Sequence, residues 1–226
     1  MKQIAVFICG LIVLIQVGLL GFGYVRADDS EHLPTPIRPM VEPEIPLDLE
    51  GIWTFASGVA TEWRADAQLV GASMQIDWPH EADDPPLSEL AHGGWIFMAF
   101  LSQDDLLTMR IDRGSGSIVE TRLTNLDDKA RDAYAEHPID LNAATTRSGT
   151  AAQAAEAAYG LEFRNACRGQ RFMSWLNVEQ DANTRTLHWH IEYEARADEP
   201  QPSMELDIDW QTGEIRNVEN ATTPCA

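Results

Sequence analysis

Hydrophobic and polar residues follow two different periods along this chain. Between residues 49 and 63, apolar side chains recur at spacings of three and four, which predicts a helix that begins after Asp48 and buries one face. Later stretches alternate or run apolar over short lengths, as β-strands do, at residues 67–78, 95–101, 106–112 and 117–123. The pattern predicts one helix packed on a four-stranded antiparallel meander.

One phrase of the sequence occurs twice. Residues 111–118 and 208–215 both read Ile-Asp-x-x-Ser/Thr-Gly-x-Ile. Each phrase predicts a strand that ends in Asp, a tight turn with Gly at the position that requires a positive φ, and a second strand that begins at Ile. Asp112 and Asp209 are expected to stabilise these turns by accepting hydrogen bonds from backbone amides. The chain is therefore interpreted as two copies of one unit.

The second copy follows a short polar helix predicted over residues 126–137, which Pro138 ends. Pro-Ile-Asp-Leu at 138–141 resembles Pro-Leu-Asp-Leu at 46–49, and an alanine-rich helix is predicted over residues 150–163. The fold class predicted is α+β, with two similar units that each pack one helix on a four-stranded antiparallel meander. Unit 1 covers residues 47–124, a connector helix covers 125–138, and unit 2 covers 139–226.

The N-terminus indicates export. Residues 4–25 are almost wholly apolar, and Val25-Arg26-Ala27 fits the small-x-small rule for signal peptidase. The same run is long enough to span a bilayer, so residues 1–27 are interpreted as a signal peptide or as a retained membrane anchor. Residues 28–46 contain five prolines and several acids, and read as an extended linker. The predicted location is the periplasm or the extracytoplasmic face of the inner membrane.

Net charge limits the kind of partner. The chain has 36 acidic and 16 basic residues, a net charge of −20. Because Lys2 and Arg26 are the charged residues of the export segment, the exported part has 36 acidic and 14 basic side chains, a net charge of −22. Nucleic acid and anionic lipid are poor partners for such a surface, whereas a basic protein or a cation would be attracted to it.

Two cysteines remain outside the export segment, which contains Cys9. Cys167 and Cys225 would meet an oxidising compartment, which predicts one disulfide between them. Such a bond would tie the C-terminal tail to the helix–strand corner of the second unit and contribute about 3–5 kcal/mol by closing a long loop.

The residues of the two copies resemble the PepSY family, small exported domains in which a helix that starts near Ile/Leu-Asp-Leu is followed by strands ending in Ile-Asp-x-x-Thr-Gly-x-Ile/Val. The resemblance covers most of residues 47–219. It implies binding or inhibition, because the family includes propeptides that restrain secreted metallopeptidases and stand-alone envelope proteins. No His-Glu-x-x-His follows in this chain, and the family carries no catalytic residues to transfer.

Ligand-type side chains alternate along the predicted strand at 187–194. His188, His190, Glu192 and Glu194 should share one face of the sheet, while Trp189, Ile191 and Tyr193 share the other. The next strand adds Glu205, Asp207 and Asp209 to the polar face. A solvated face explains this pattern; the alternative is a zinc or copper site formed by His188, His190 and Glu192.

Copy one differs from copy two on the matching face of the sheet. When Trp95 is aligned with Trp189, the positions that face water become Ile96, Met98 and Phe100. An apolar stripe of that kind predicts a contact surface, covered either within the molecule or by a partner.

The sequence therefore predicts an exported, non-catalytic module of the bacterial cell envelope that binds or inhibits a protein partner through its sheet faces, with Ile96, Met98 and Phe100 as the contact residues. A periplasmic metal-binding protein is the alternative. The sequence contains no Gly-rich phosphate loop, zinc-ribbon pair or nucleophile elbow, which disfavours familiar enzyme classes.

Overall fold

The computed structural model describes residues 48–78, 94–167, 171–181, 184–196 and 203–220. Its centre is one antiparallel sheet of eight strands in the order β4-β3-β2-β1-β5-β6-β7-β8. The strands span Gln68–Trp78 (β1), Trp95–Ser102 (β2), Asp105–Asp112 (β3), Ile118–Asn125 (β4), Arg171–Gln180 (β5), Leu187–Arg196 (β6), Ser203–Asp209 (β7) and Ile215–Asn220 (β8). The α+β class predicted from the sequence is therefore confirmed.

The helices lie where the periodicity predicted them. They span Leu49–Trp63 (α1), Asp128–Ala135 (α2), Ser148–Ala155 (α3) and Leu161–Ala166 (α4), with a π-helical turn, Glu156–Gly160, between α3 and α4. Asp48 caps α1, because its side chain accepts a hydrogen bond from Gly51 N at 2.6 Å. Asp140 plays the corresponding part for a 3₁₀ turn at Leu141–Ala143, so the alanine-rich helix starts later in the second half than α1 does in the first.

Each half of the chain forms a four-stranded meander, and the two meanders join edge to edge. β1 pairs with β5 in antiparallel register from Ser73 opposite Asn177 to Trp78 opposite Phe172. The first strand of the second half therefore lies beside the first strand of the first half. The result is one continuous sheet, a relation that the sequence pattern did not specify.

The two repeated phrases fold into the same turn. Gly116 and Gly213 have φ values of 68° and 75°, which residues with a Cβ adopt only under strain. The carboxylate of Asp112 accepts from Ser115 N at 2.7 Å, and that of Asp209 accepts from Thr212 N at 2.9 Å. The predicted role of these two aspartates as backbone braces is confirmed.

The main core lies between one face of the sheet and the helices. It includes Leu49, Ile52 and Ala56 of α1, Ala151 and Ala155 of α3, Phe163 of α4, and the inward side chains of all strands from β1 to β7. A smaller cluster lies on the opposite face, where Val70, Leu101 and Leu106 pack under Leu126 and Tyr134. A β-bulge between Leu69 and Gly71 accompanies the exit of Val70 to that side.

The N-termini of α1 and α3 are bonded to each other. Ser148 Oγ accepts from Leu49 N at 3.0 Å and donates to the carboxylate of Glu50 at 2.5 Å, while Ser148 N donates to the same carboxylate at 2.8 Å. Arg147 adds an ion pair to Asp48 at 3.0 Å. These bonds satisfy helix-terminal amides with side chains about a hundred residues away, so they fix the two helices side by side on the sheet.

No helix among the described residues has the length and apolarity needed to cross a membrane. The predicted signal peptide or anchor at residues 1–27 and the predicted linker at 28–46 lie outside the described residues. Cys225 does as well, so its pairing with Cys167, which is buried after the end of α4, stays a prediction.

Candidate functional site

The sheet has one face that the helices cover and one that they leave largely uncovered, called the open face below. Alternation along each strand decides which side chains reach it. On β6, Trp189, Ile191 and Tyr193 are at most 1% exposed and lie in the core, as predicted. The four polar side chains between them lie on the open face, namely His188, His190, Glu192 and Glu194.

Ile96, Met98 and Phe100 do not face water, and the prediction that they form a contact surface is wrong. They are 0%, 1% and 1% exposed. Phe100 stacks on Trp53 of α1 with ring centroids 6.1 Å apart. These side chains are core residues under α1.

The error is a slip of one residue in the alignment of the two copies. Ile96 pairs with Ile111, and Trp189 pairs with Ile208, so the repeated phrase makes Ile96 the counterpart of Trp189. Aligning Trp95 with Trp189 moved every side chain of β2 to the wrong face. The signal that fixes the register was in the sequence: a two-residue turn at 103–104 places Ser102 opposite Asp105 and, counting back, Ile96 opposite Ile111.

The open face of β2 and β5 is aromatic. Trp95 and Phe97 of β2 and Trp175 of β5 are half-buried there. Phe97 packs on Trp175 with ring centroids 5.7 Å apart, and the guanidinium of Arg110 lies 4.8 Å from the ring centre of Trp95. This aromatic patch was not predicted, because β2 is apolar at both parities and alternation alone could not separate its two faces.

Beyond the aromatic patch, the open face of β5 to β7 is rich in carboxylates and carries the two predicted histidines. Side chains form rows across the strands because opposed residues share a face. His190 lies between Asn177 and Asp207, and His188 lies between Glu179 and Asp209. The prediction that the two imidazoles lie on the same face as Asp207 and Asp209 is confirmed, since each histidine is directly opposite one of these aspartates.

His190 is held by the acids around it. Its Nδ1 lies 2.9 Å from Asp207 Oδ1, and its Nε2 lies 3.9 Å from Glu205 Oε2. Burial lowers the pKa of His190, but the hydrogen bond to Asp207 and the charges of Glu179, Asp207 and Glu205 outweigh burial and raise the pKa to about 9. The imidazole is therefore protonated at neutral pH and acts as a cation of this face.

Asp207 is the ionised partner. Burial raises its pKa, but the hydrogen bonds from His190 and Asn217 lower it by more, so the net pKa lies below the usual value. Asn217 Nδ2 donates to Asp207 Oδ2 at 2.9 Å. Together these contacts fix the Asp207 carboxylate between β6 and β8.

The next row consists of Trp175, Glu192, Glu205 and Glu219, which oppose one another in turn on β5 to β8 and are called the Trp175 row below. Three carboxylates follow one aromatic ring. Burial raises the pKa of Glu192, and the charges of Glu194 and Glu205 raise it further, to about 7. No described residue donates a hydrogen bond to the Glu192 carboxylate, so this part of the face has a deficit of positive charge.

The predicted metal ligands do not converge. Among the described residues, no group of three or more His, Cys, Asp or Glu side chains has an arrangement that could hold a metal ion. His190 Nδ1 is occupied by Asp207, while His188 Nε2 is 3.5 Å from the same oxygen. The geometry thus favours hydrogen-bonded ion pairs over a zinc or copper centre at His188, His190 and Glu192.

A second polar group, which sequence reasoning missed, lies inside the core. Glu156, in the π-helical turn, forms an ion pair with Arg164, and both side chains are at most 10% exposed. The Arg164 guanidinium rests 4.5 Å from the ring centre of Trp78. Tyr193 lies close by, and burial and the nearby Glu156 charge raise the pKa of its hydroxyl well above the usual value. The sequence did contain a signal for this buried ion pair, because Glu156 falls on the apolar side of the predicted alanine-rich helix.

Comparison with known proteins gives one distant structural likeness. No protein-family model matches the chain, and no curated protein matches it. A crystal structure from Clostridium difficile 630, described as that of a putative lipoprotein, superposes with a TM-score of 0.47 and 15% sequence identity, covering 80% of this chain and 96% of that one. At that level of similarity the likeness carries no functional conclusion for this chain.

Proposed function

We propose that this protein is an exported, non-catalytic module that binds a protein partner in the cell envelope through the open face of its sheet. Export rests on the apolar N-terminus at residues 4–25 and the small-x-small sequence that ends at Ala27. A binding role rather than a catalytic one is supported by the open face, where the His190 imidazole is already hydrogen-bonded to Asp207 and half-buried aromatic rings share the same surface.

The observation that carries the proposal is the composition of the open face. Half-buried aromatic rings at Trp95, Phe97 and Trp175 lie next to the carboxylates of β6 and β7 on the same surface. Among the described helices, α2 alone lies on this side, and it covers the end near Val70 and Leu101. Aromatic residues with a charged rim are typical of the centre and edge of protein interfaces.

Charge selects the partner. The exported part has a net charge of −22, and the open face of β5 to β7 adds a local excess of carboxylates to it. Such a field attracts a partner with a cationic surface and repels nucleic acid and acidic proteins. The contact residues proposed here are therefore Phe97, Trp175 and the neighbouring acids, in place of Ile96, Met98 and Phe100.

We also propose that the two halves are divergent copies of one PepSY-like unit, covering residues 47–124 and 139–226 around a connector at 125–138. Two features support the duplication. Each half is a four-stranded meander whose last two strands are joined by the same turn, with an Asp side chain bonded to backbone amides. In each half an Asp also caps the first helical turn, Asp48 in Leu-Asp-Leu and Asp140 in Ile-Asp-Leu. Inhibition of an envelope enzyme is the activity that this likeness would imply.

Site-specific crosslinking tests the binding face. A photoreactive amino acid at Asn177, in the middle of the open face, should crosslink one partner in the native envelope, whereas the same group at Gln153, exposed on α3, should not. The partner is then purified and its affinity for the full-length protein is measured. We expect Phe97→Glu to weaken that affinity at least tenfold while the melting temperature changes little.

Two results would overturn the proposal. One is equal crosslinking from Asn177 and Gln153, which would place the partner on no particular face. The other is a purified complex whose affinity is unchanged by Phe97→Glu, since a glutamate at the centre of the aromatic patch must disturb any partner that lies on it.

A further inference from the structure

Three tryptophan rings of this protein each carry an arginine that also meets a carboxylate. The guanidinium lies 4.5 to 5.2 Å from the ring centre in every case. The three groups are Trp63, Arg64 and Asp105; Trp95, Arg110 and Glu120; and Trp78, Arg164 and Glu156. A planar guanidinium can stack on a ring and still direct N–H groups at a carboxylate, which explains why the three parts recur together.

One of these groups lies on the open face itself. Arg110 of β3 lies over Trp95 and forms an ion pair with Glu120 of β4 at 3.2 Å. Arg110 is directly opposite Phe97, and Phe97 packs on Trp175. The first half of the sheet therefore supplies its own cation to the ring and the carboxylate.

The second half has the ring and the carboxylates without the arginine. Trp175 is opposite Glu192, which is opposite Glu205. Among the described residues no arginine lies over Trp175, and His190, in the adjacent row, is bonded to Asp207. Like charges placed directly opposite on neighbouring strands repel, so a cation added here would relieve repulsion as well as gain an ion pair.

Two of the segments that connect the strands contain no such cation. Residues 79–93 join β1 to β2, and residues 197–202 join β6 to β7; together they contain six acidic residues and no Lys or Arg. Placing either segment over the Trp175 row would add negative charge to negative charge. Neither of these two segments therefore complements the charge of the row, whereas a cationic group of a partner would.

We infer that Trp175, Glu192 and Glu205 form a receptor for an arginine side chain of the protein partner, with the guanidinium stacked on the indole and bonded to the two carboxylates. This inference rests on the proposed function, because it assigns the chemistry of the partner to the same open face. Lysine fits less well, since an ammonium is a compact charge that neither stacks nor bonds in a planar fork.

Model peptides test the inference with the full-length protein in detergent. The probe is a labelled peptide of seven residues, otherwise glycine and serine, that carries arginine at positions 3 and 5; the matched probe carries citrulline, which has the same shape without the charge. We expect the citrulline peptide to bind at least tenfold more weakly in 50 mM salt, and a lysine peptide to bind severalfold more weakly than the arginine peptide.

Variants locate the effect. The double change Glu192→Gln with Glu205→Gln, and separately Trp175→Ala, should lower the affinity for the arginine peptide to that of the citrulline peptide. Glu62→Gln is the control, since it removes a charge from the exposed side of α1 on the other face. Equal binding of the arginine and citrulline peptides, equal binding of arginine and lysine, or undiminished binding by the double variant would each overturn the inference.

The natural partner separates this inference from the proposed function. If Phe97→Glu abolishes the complex and the double glutamine variant forms it with unchanged affinity, the open face is the binding surface and the arginine receptor is wrong. If neither change affects the complex, both are wrong. Loss of affinity in both variants, together with the peptide selectivity, supports both.

Discussion

His190 Nδ1 lies 2.9 Å from Asp207 Oδ1, and the two residues are directly opposed on β6 and β7. The contact joins a protonated imidazole to an ionised carboxylate on an otherwise acidic surface. Because the pKa of His190 in the folded protein, about 9, is above its ordinary value of 6.5, the folded state binds this proton more tightly than the unfolded state does.

Stability should therefore depend on pH through His190. The contribution is fully present below pH 6.5 and is lost as the pH rises through about 9. We expect His190→Asn, which can still bond to Asp207, to lower the free energy of unfolding by about 2 kcal/mol at pH 6 and by much less at pH 10. Urea unfolding at the two pH values measures this. A loss of the same size at both would show that the imidazole charge does not contribute.

Glu192 should destabilise the fold when it is ionised. Its pKa is raised from 4.5 to about 7. Ionisation of Glu192 therefore does not destabilise the folded state below pH 4.5 and destabilises it fully above pH 7. We expect Glu192→Gln to increase the free energy of unfolding by about 1 kcal/mol at pH 8, after allowance for solvent screening, and to have little effect at pH 4. Glu62→Gln on the exposed side of α1 is the matched control. A variant that is no more stable than the wild type at pH 8 contradicts the crowding of carboxylates in the Trp175 row.

Gly160 is required by close packing at the π-helical turn. A Cβ at this position would lie 2.3 Å from Glu156 Oε2 and 2.6 Å from ring atoms of Tyr193. We expect Gly160→Ala to reduce the free energy of unfolding by about 2 kcal/mol, because the core must shift to admit the methyl group.

Gly58 provides the matched control for Gly160. It is exposed in the middle of α1, and a Cβ there would have no heavy atom within 4 Å. We expect Gly58→Ala to stabilise the protein by about 0.5–1 kcal/mol, since alanine favours the helix. Thermal unfolding of both variants checks the pair, and a destabilisation of similar size in each would rule out the proposed packing at Gly160.

The burial of Met98 gives opposite expectations for neighbouring residues of β2. Met98 is 1% exposed in the core, while Ala99 lies on the other face and is partly buried against the cluster of Val70, Leu101 and Leu106. We expect Met98→Glu to lower the free energy of unfolding by about 4 kcal/mol or more, since no described cation lies beside it in the core, and Ala99→Glu to lower it by clearly less, since its side chain starts nearer to solvent. Denaturant unfolding distinguishes the two, and a well-folded Met98→Glu would show that β2 is in the other register.

Local patterns in the sequence were enough to locate the elements. The three- and four-residue spacing between Leu49 and Trp63 marked α1, and Asp48 marked its first turn. The phrase shared by residues 111–118 and 208–215 predicted two turns whose Asp and Gly residues behave alike. These features depend on φ preferences, capping and periodicity within a few residues, and so can be read without the rest of the chain.

The acidic, histidine-bearing strand was also predictable, whereas the aromatic patch was not. On β6 the even-numbered residues from 188 to 194 are polar and the odd-numbered residues between them are apolar or aromatic. Alternation alone therefore assigned His188 and His190 to the open face. On β2 both parities are apolar, and the alignment of Trp95 with Trp189 chose the wrong one. Register is a relation between strands, and a slip of one residue exchanges the core for the surface.

The sequence by itself determined the α+β class, the positions of the helices and strands, and the polar character of β6 and β7. The tertiary structure alone decided that β1 pairs with β5 and that Phe97 meets Trp175 beside the acidic rows. Those contacts join residues from different strands of the sheet, and Trp175 lies nearly eighty positions from Phe97 along the chain. Their free energy depends on packing between distant segments, for which no local pattern provides a measure.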